Sequence, residues 1–145
     1  MRTVSLITLL FMIPALTSAQ SEPEILPIPA STMQDLMVKV IYPVSDSVLY
    51  VSSRTPTNDA EWAALERDAL ILAETANLMM MPARALDKDQ WMKDSKLMLD
   101  AGIAAYEAAM ERDLDALIEL NDPLYQSCVV CHLHYRPDYL KDAKL

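Results

Sequence analysis

The sequence predicts an all-α fold, an antiparallel up-down-up-down four-helix bundle, and three observations carry that expectation. The 145 residues include a single glycine, Gly102, against nine prolines, and β folds depend on glycine for their turns. Three segments place an N-cap residue three positions before Gln or Glu: Ser31-Thr32-Met33-Gln34, Asn58-Asp59-Ala60-Glu61 and Asp87-Lys88-Asp89-Gln90. That pattern satisfies backbone donors at a helix start. Each of the three is followed by apolar residues at alternating steps of three and four, the spacing of bundle helices. With 52% apolar and 23% charged residues the chain can build a core, which excludes a disordered protein.

The first helix is expected from about Thr32 to Ser53, with Met33, Met37, Val40, Val44, Val48 and Val51 on one stripe. Pro43 should kink it, because proline removes a backbone donor. The second runs from about Asp59 to Met81, with Trp62, Leu65, Ala69, Leu72, Ala76 and Met79 inward and Pro82 as its stop. The third runs from about Lys88 to Arg112, with Trp91, Ser95, Met98, Gly102, Ala105 and Ala109 inward. The fourth starts near Asp113 and follows Leu114, Leu117, Asn121, Leu124, Cys128 and Tyr135 until Pro137. Helices of about 22 residues are roughly 33 Å long, and short linkers make neighbours antiparallel. The third helix is rich in small residues, including Ala101, Gly102, Ala105 and Ala109. They allow either close approach of another helix or volume for a bulky group that is not protein.

Residues 1–19 read as an export signal: Arg2, an apolar run from Val4 to Leu16 broken at Pro14, then small residues at Thr17-Ser18-Ala19. The run is too short for a bilayer span, and no cysteine stands near the cleavage site to carry a lipid anchor. Residues 20–30, with Pro23, Pro27 and Pro29, read as an extended leader. The domain is expected over 31–145, outside the cytoplasm, with the periplasm as its compartment and no membrane anchor after cleavage. The net charge of −9 becomes more negative once Arg2 is removed. This argues against nucleic acid, whose phosphates need clustered Lys and Arg.

The chain's two cysteines form Cys128-Val129-Val130-Cys131-His132, the C-x-x-C-H pattern of covalent c-type haem attachment. On a helix, positions i, i+3 and i+4 share a face. Both thiols can then form thioethers with the haem vinyl groups while the His132 imidazole reaches the iron. The export signal agrees with attachment outside the cytoplasm. A thioredoxin-like dithiol is a poorer account, since such pairs sit at a helix N-terminus beside a parallel sheet. A disulfide across so small a loop would stabilise little. Zinc held by Cys128, Cys131, His132 and His134 would need four donors from one short segment, whereas structural zinc takes two separated pairs. His134 is expected as a solvated surface histidine.

The tail from Cys128 to Arg136 also resembles the C-x-x-C-H-x-x-Y-R signature of class II c-type cytochromes, the group of cytochrome c-prime and its low-spin relatives. More loosely the resemblance covers the whole mature domain. It implies one covalent haem c on Cys128 and Cys131, His132 as the proximal iron ligand and Arg136 close to the haem on that side. The residue-level alternative for Arg136 is an exposed cation favourable at a helix C-terminus. Tyr135 is expected in packing. Arg84 is either a partner for a haem propionate or a solvated loop arginine. In the low-spin relatives a first-helix methionine is the sixth ligand, which implies Met37 here, with Met33 one turn away. In cytochrome c-prime that position is open to small gases, and methionine at helical spacing is also ordinary core filler.

Electron transfer is thus the expected function, with a basic redox protein as partner for the acidic surface. A five-coordinate haem protein binding nitric oxide or carbon monoxide is the alternative, and a haemless helical interaction module a remote one. Pairing of two copies through the first two helices is a habit of the family. No enzyme is expected: the sequence shows no Ser-His-Asp grouping, phosphate loop or H-E-x-x-H.

Overall fold

The computed structural model describes residues 26–138, so the expected signal segment 1–19 and most of the leader lie outside the described residues. The described elements are α1 (Met33–Leu36), a π-helical segment (Met37–Ile41), α2 (Tyr42–Leu49), α3 (Asp59–Met79), α4 (Gln90–Glu111), α5 (Leu114–Glu119) and α6 (Asn121–Tyr135). They are all helical and form four rods, because α1, the π segment and α2 run on without a break, and α5 and α6 are separated by Leu120 alone. Among the described residues none is in a strand, and no helix is long and apolar enough to cross a membrane.

Just upstream of Pro43, where a kink is expected, the helix widens into the π segment. Proline donates no hydrogen bond and crowds the carbonyl four residues back. The ladder upstream widens accordingly, and the Tyr42 N–H reaches the Met37 carbonyl, five residues away. This wide turn shifts the buried stripe. Leu36 and Ile41, five apart, enter the core with Val44, Val48 and Val51, while Met33, Met37 and Val40 are only half-buried.

Side chains cap α1, α3 and α5, whereas α4 starts from Asp89 with no side-chain cap, so the box expected from Asp87 does not form there. Asn58 Oδ1 accepts from the Glu61 N–H at 3.0 Å, while Glu61 Oε2 accepts from the Thr57 N–H at 2.6 Å. At the first rod the cap is Thr32 rather than Ser31, accepting from the Asp35 N–H at 3.1 Å. Arg112 ends α4 in the left-handed conformation (φ 57°). Bonds from the Asp113 N–H to Ala108 O (2.9 Å) and the Arg112 N–H to Ala109 O (3.1 Å) close a Schellman turn. Asp113 then caps α5, accepting from the Ala116 N–H at 3.0 Å. Pro123, which lacks an N–H, follows the junction of α5 and α6 at Leu120.

The core is a contiguous cluster drawn from all four rods. The six inward residues expected of α4 are all buried. α4 packs along α3 so closely that a Cβ on Gly102 would lie 2.9 Å from Ala73 Cα. At that level the small residues serve close helix approach and leave no spare volume.

Candidate functional site

The buried side of α6 carries Leu124, Ser127 and Cys131. Cys128, expected on the inward stripe, lies instead one step round the helix, half-buried with His132 four residues on. The motif therefore straddles the edge of the core: Cys131 faces in, 6% exposed, and Cys128 and His132 form the adjoining flank. Both thiols are free. Burial pushes the Cys131 thiol up to about 11, with Asp94 and Cys128 adding to the effect. Burial also raises Cys128, against a hydrogen bond with Ser127 that lowers it. Both groups are thus neutral thiols at physiological pH. Burial, helped by the Arg136 charge, lowers the His132 imidazole, favouring the neutral form that can ligate a metal. Arg136 is exposed just past the end of α6, its N–H donating to the His132 carbonyl at 2.8 Å.

The last turn of α6 is clasped to the first turn of α4. Asp94, 1% exposed, accepts from Gln90 Nε2 at 2.8 Å and pairs with His134 Nδ1 at 2.7 Å. His134 is thus exposed but not merely solvated, and this corrects the expectation: its ring is tied to a buried carboxylate. The Tyr135 hydroxyl donates to Asp87, and the Tyr135 ring meets Trp91 edge-on with centroids 4.9 Å apart. Asp87 also accepts from the Trp91 N–H at 3.0 Å and the Asp89 N–H at 2.9 Å. These hydrogen bonds, that from Tyr135 foremost, hold the Asp87 carboxyl below its ordinary range. Burial and Asp87 push the Tyr135 phenol up. The Trp91 indole N–H closes the set on the Met79 carbonyl at 2.8 Å. Sequence reasoning missed Asp94, yet a signal was present, since a carboxylate between Trp91 and Met98 on an apolar face needs buried partners.

The clasp brings the α3–α4 loop to the end of the molecule where the motif lies. Arg84 of that loop extends Nη2 to the Ser31 carbonyl at 3.3 Å, just before α1. Met37 lies half-buried on the first rod, at the opening of the π segment. Among the described residues no three or more His, Cys, Asp or Glu gather to hold a metal ion through those side chains alone. Two surface grooves, about 640 and 360 Å³, are lined by Ala104, Glu107 and Leu120 and by Pro43, Arg54 and Leu65 among others. Neither is lined by Cys128, Cys131 or His132.

The donor set suits a haem: two reduced thiols one turn apart and a neutral imidazole beside them. No family model, curated protein or solved structure matches the chain.

Proposed function

We propose that the chain is an exported monohaem c-type cytochrome carrying electrons through one covalently held haem c. The observation that carries this reading is the Cys128-x-x-Cys131-His132 spacing on one helix at the edge of the core, with both thiols free. Each thiol would add across a vinyl group, its sulfur bonding to one carbon and its proton passing to the other, which requires both to be reduced. The His132 imidazole would be the proximal iron ligand. Arg136 places a positive charge on that side, and Met37 is the candidate sixth ligand. The bound group supplies a one-electron iron couple. The Asp94–His134 and Asp87–Tyr135 bonds fix the turn that bears His132, so the ligand is oriented by the fold and not by the iron alone.

An up-down-up-down bundle accords with the antiparallel contacts between Met79 and Trp91, Ala73 and Gly102, and Asp94 and His134. Cys131 is only 6% exposed, so this reading requires the rods around the motif to part when haem is attached. The acidic surface suits a basic redox partner by long-range attraction.

Expression with a haem-attachment system tests the reading. The intact mass should exceed that of residues 20–145 by one haem, acid-acetone should not extract it, and the spectrum should be low-spin. A high-spin, five-coordinate spectrum with rapid carbon monoxide binding would favour the gas-binding function. A bare-chain mass with both cysteines freely alkylated would overturn the haem altogether.

A further inference from the structure

Arg84 is held in an unusual state. Its Nη2 donates to the Ser31 carbonyl (3.3 Å) and approaches Ser31 Oγ (3.5 Å), while Nε and Nη1 are buried with no acceptor. Arg84 is half-buried as a residue, and covered donors of a charged group are ordinarily met by an acceptor. Neither carboxylate of the clasp answers these. Asp87 takes the Tyr135 hydroxyl and the N–H groups of Asp89 and Trp91, and Asp94 takes Gln90 and His134. Among the described residues no acceptor faces these two nitrogens, and a planar guanidinium is best matched by a carboxylate.

We propose that Arg84 is the docking residue for a carboxylate of the bound haem, an inference that rests on the haem reading above. Two features place it there. The Arg84 loop is bolted by Asp87–Tyr135 to the turn just past His132, so residue and motif share one end of the molecule. Haem carries two propionates, charged groups that need a partner when the macrocycle enters a protein. The covered nitrogens become available by the same parting of the rods that admits the macrocycle. The same chemistry could also come from the chain's own Glu22 or Glu24, upstream of Ser31 and outside the described residues.

The test uses the haem-loaded protein and compares Arg84→Gln, Arg84→Lys and the double variant Glu22→Gln/Glu24→Gln with wild type. Thioether attachment keeps the haem on all four, as intact mass will report. Arg84→Gln should shift the reduction potential negative, since a cation beside the haem favours the reduced iron, and should lower the urea midpoint. Arg84→Lys should restore most of the potential while moving the propionate bending band in the resonance Raman spectrum. The glutamate variant should match wild type throughout. A wild-type potential and midpoint in Arg84→Gln overturns the assignment. If that variant does not accumulate, an unmoved propionate band in Arg84→Lys does the same. Loss of midpoint in the glutamate variant equal to that in Arg84→Gln would assign the site to the leader instead. A bare-chain mass in wild type removes the haem reading and this inference together, whereas the other negative results remove this inference alone.

Discussion

Replacing Gly102 by alanine probes how closely α3 and α4 meet. The added Cβ would lie 2.9 Å from both Cα and N of Ala73 and 3.1 Å from its Cβ. Two of these atoms are backbone and the third is fixed to it, so no side-chain rotation relieves the contact. Restoring ordinary van der Waals spacing needs the helices to separate by about 0.7 Å at this level. That loosens the packing of Leu72, Ala76 and Ala105 on either side, all fully buried. Overpacking costs about 1–3 kcal/mol; the upper part of that range, about 2–3 kcal/mol, applies where the clash is with backbone, and the better helix propensity of alanine returns about 1 kcal/mol. The net expectation for Gly102→Ala is a loss of roughly 1–2 kcal/mol, or about 5–10 °C in Tm for a domain of this size. Thermal and urea denaturation followed by circular dichroism would read it. A variant as stable as wild type, or more stable, would refute the close contact. It would return the small residues of α4 to their other role, as space left for something that is not protein.

Asp94→Ala removes a buried carboxylate with two partners and should cost about 2–4 kcal/mol, read as a lower urea midpoint; an unchanged midpoint would show that the clasp contributes nothing. The Asp87–Tyr135 bond should act over a bounded pH range. Asp87 is lowered in the fold, so its contribution is present above the ordinary carboxyl pKa of about 4 and is lost as pH falls through the folded value. Tyr135 is raised, so its contribution is present below about pH 10 and is lost as pH rises beyond that. The stability gap between wild type and Tyr135→Phe should therefore be widest at neutral pH and close at both extremes; a gap independent of pH would refute the bond. Met37→Ala should convert a low-spin haem spectrum to high-spin with the fold intact, at a cost near the low end of about 2–5 kcal/mol since the side chain is only half-buried. An unchanged spectrum would move the ligand elsewhere, and a change on Met33→Ala would place it one turn earlier.

Local rules made much of the architecture legible. The Asn58 cap, the Asp113 start and the inward face of α4 follow from residue types and a period of 3.6, which act within a few residues. The C-x-x-C-H spacing likewise puts its three groups together on any helix. Three features depended on neighbours. Pro43 announced an interruption of the ladder, but the π segment upstream of it goes with Leu36 and Ile41, and not Met33 and Met37, being the buried residues there. Cys131 and not Cys128 faces inward, because the Trp91–Tyr135 contact and the Asp94–His134 pair set how far α6 is rotated about its axis. Sequence left Arg84 as either a propionate partner or a solvated loop arginine, and its bond to Ser31, 53 residues away, and its two buried nitrogens without an acceptor appear only in the fold. Periodicity specifies that a helix has an apolar side to within about one residue step. The final rotation comes from contacts across the chain that no local spacing encodes.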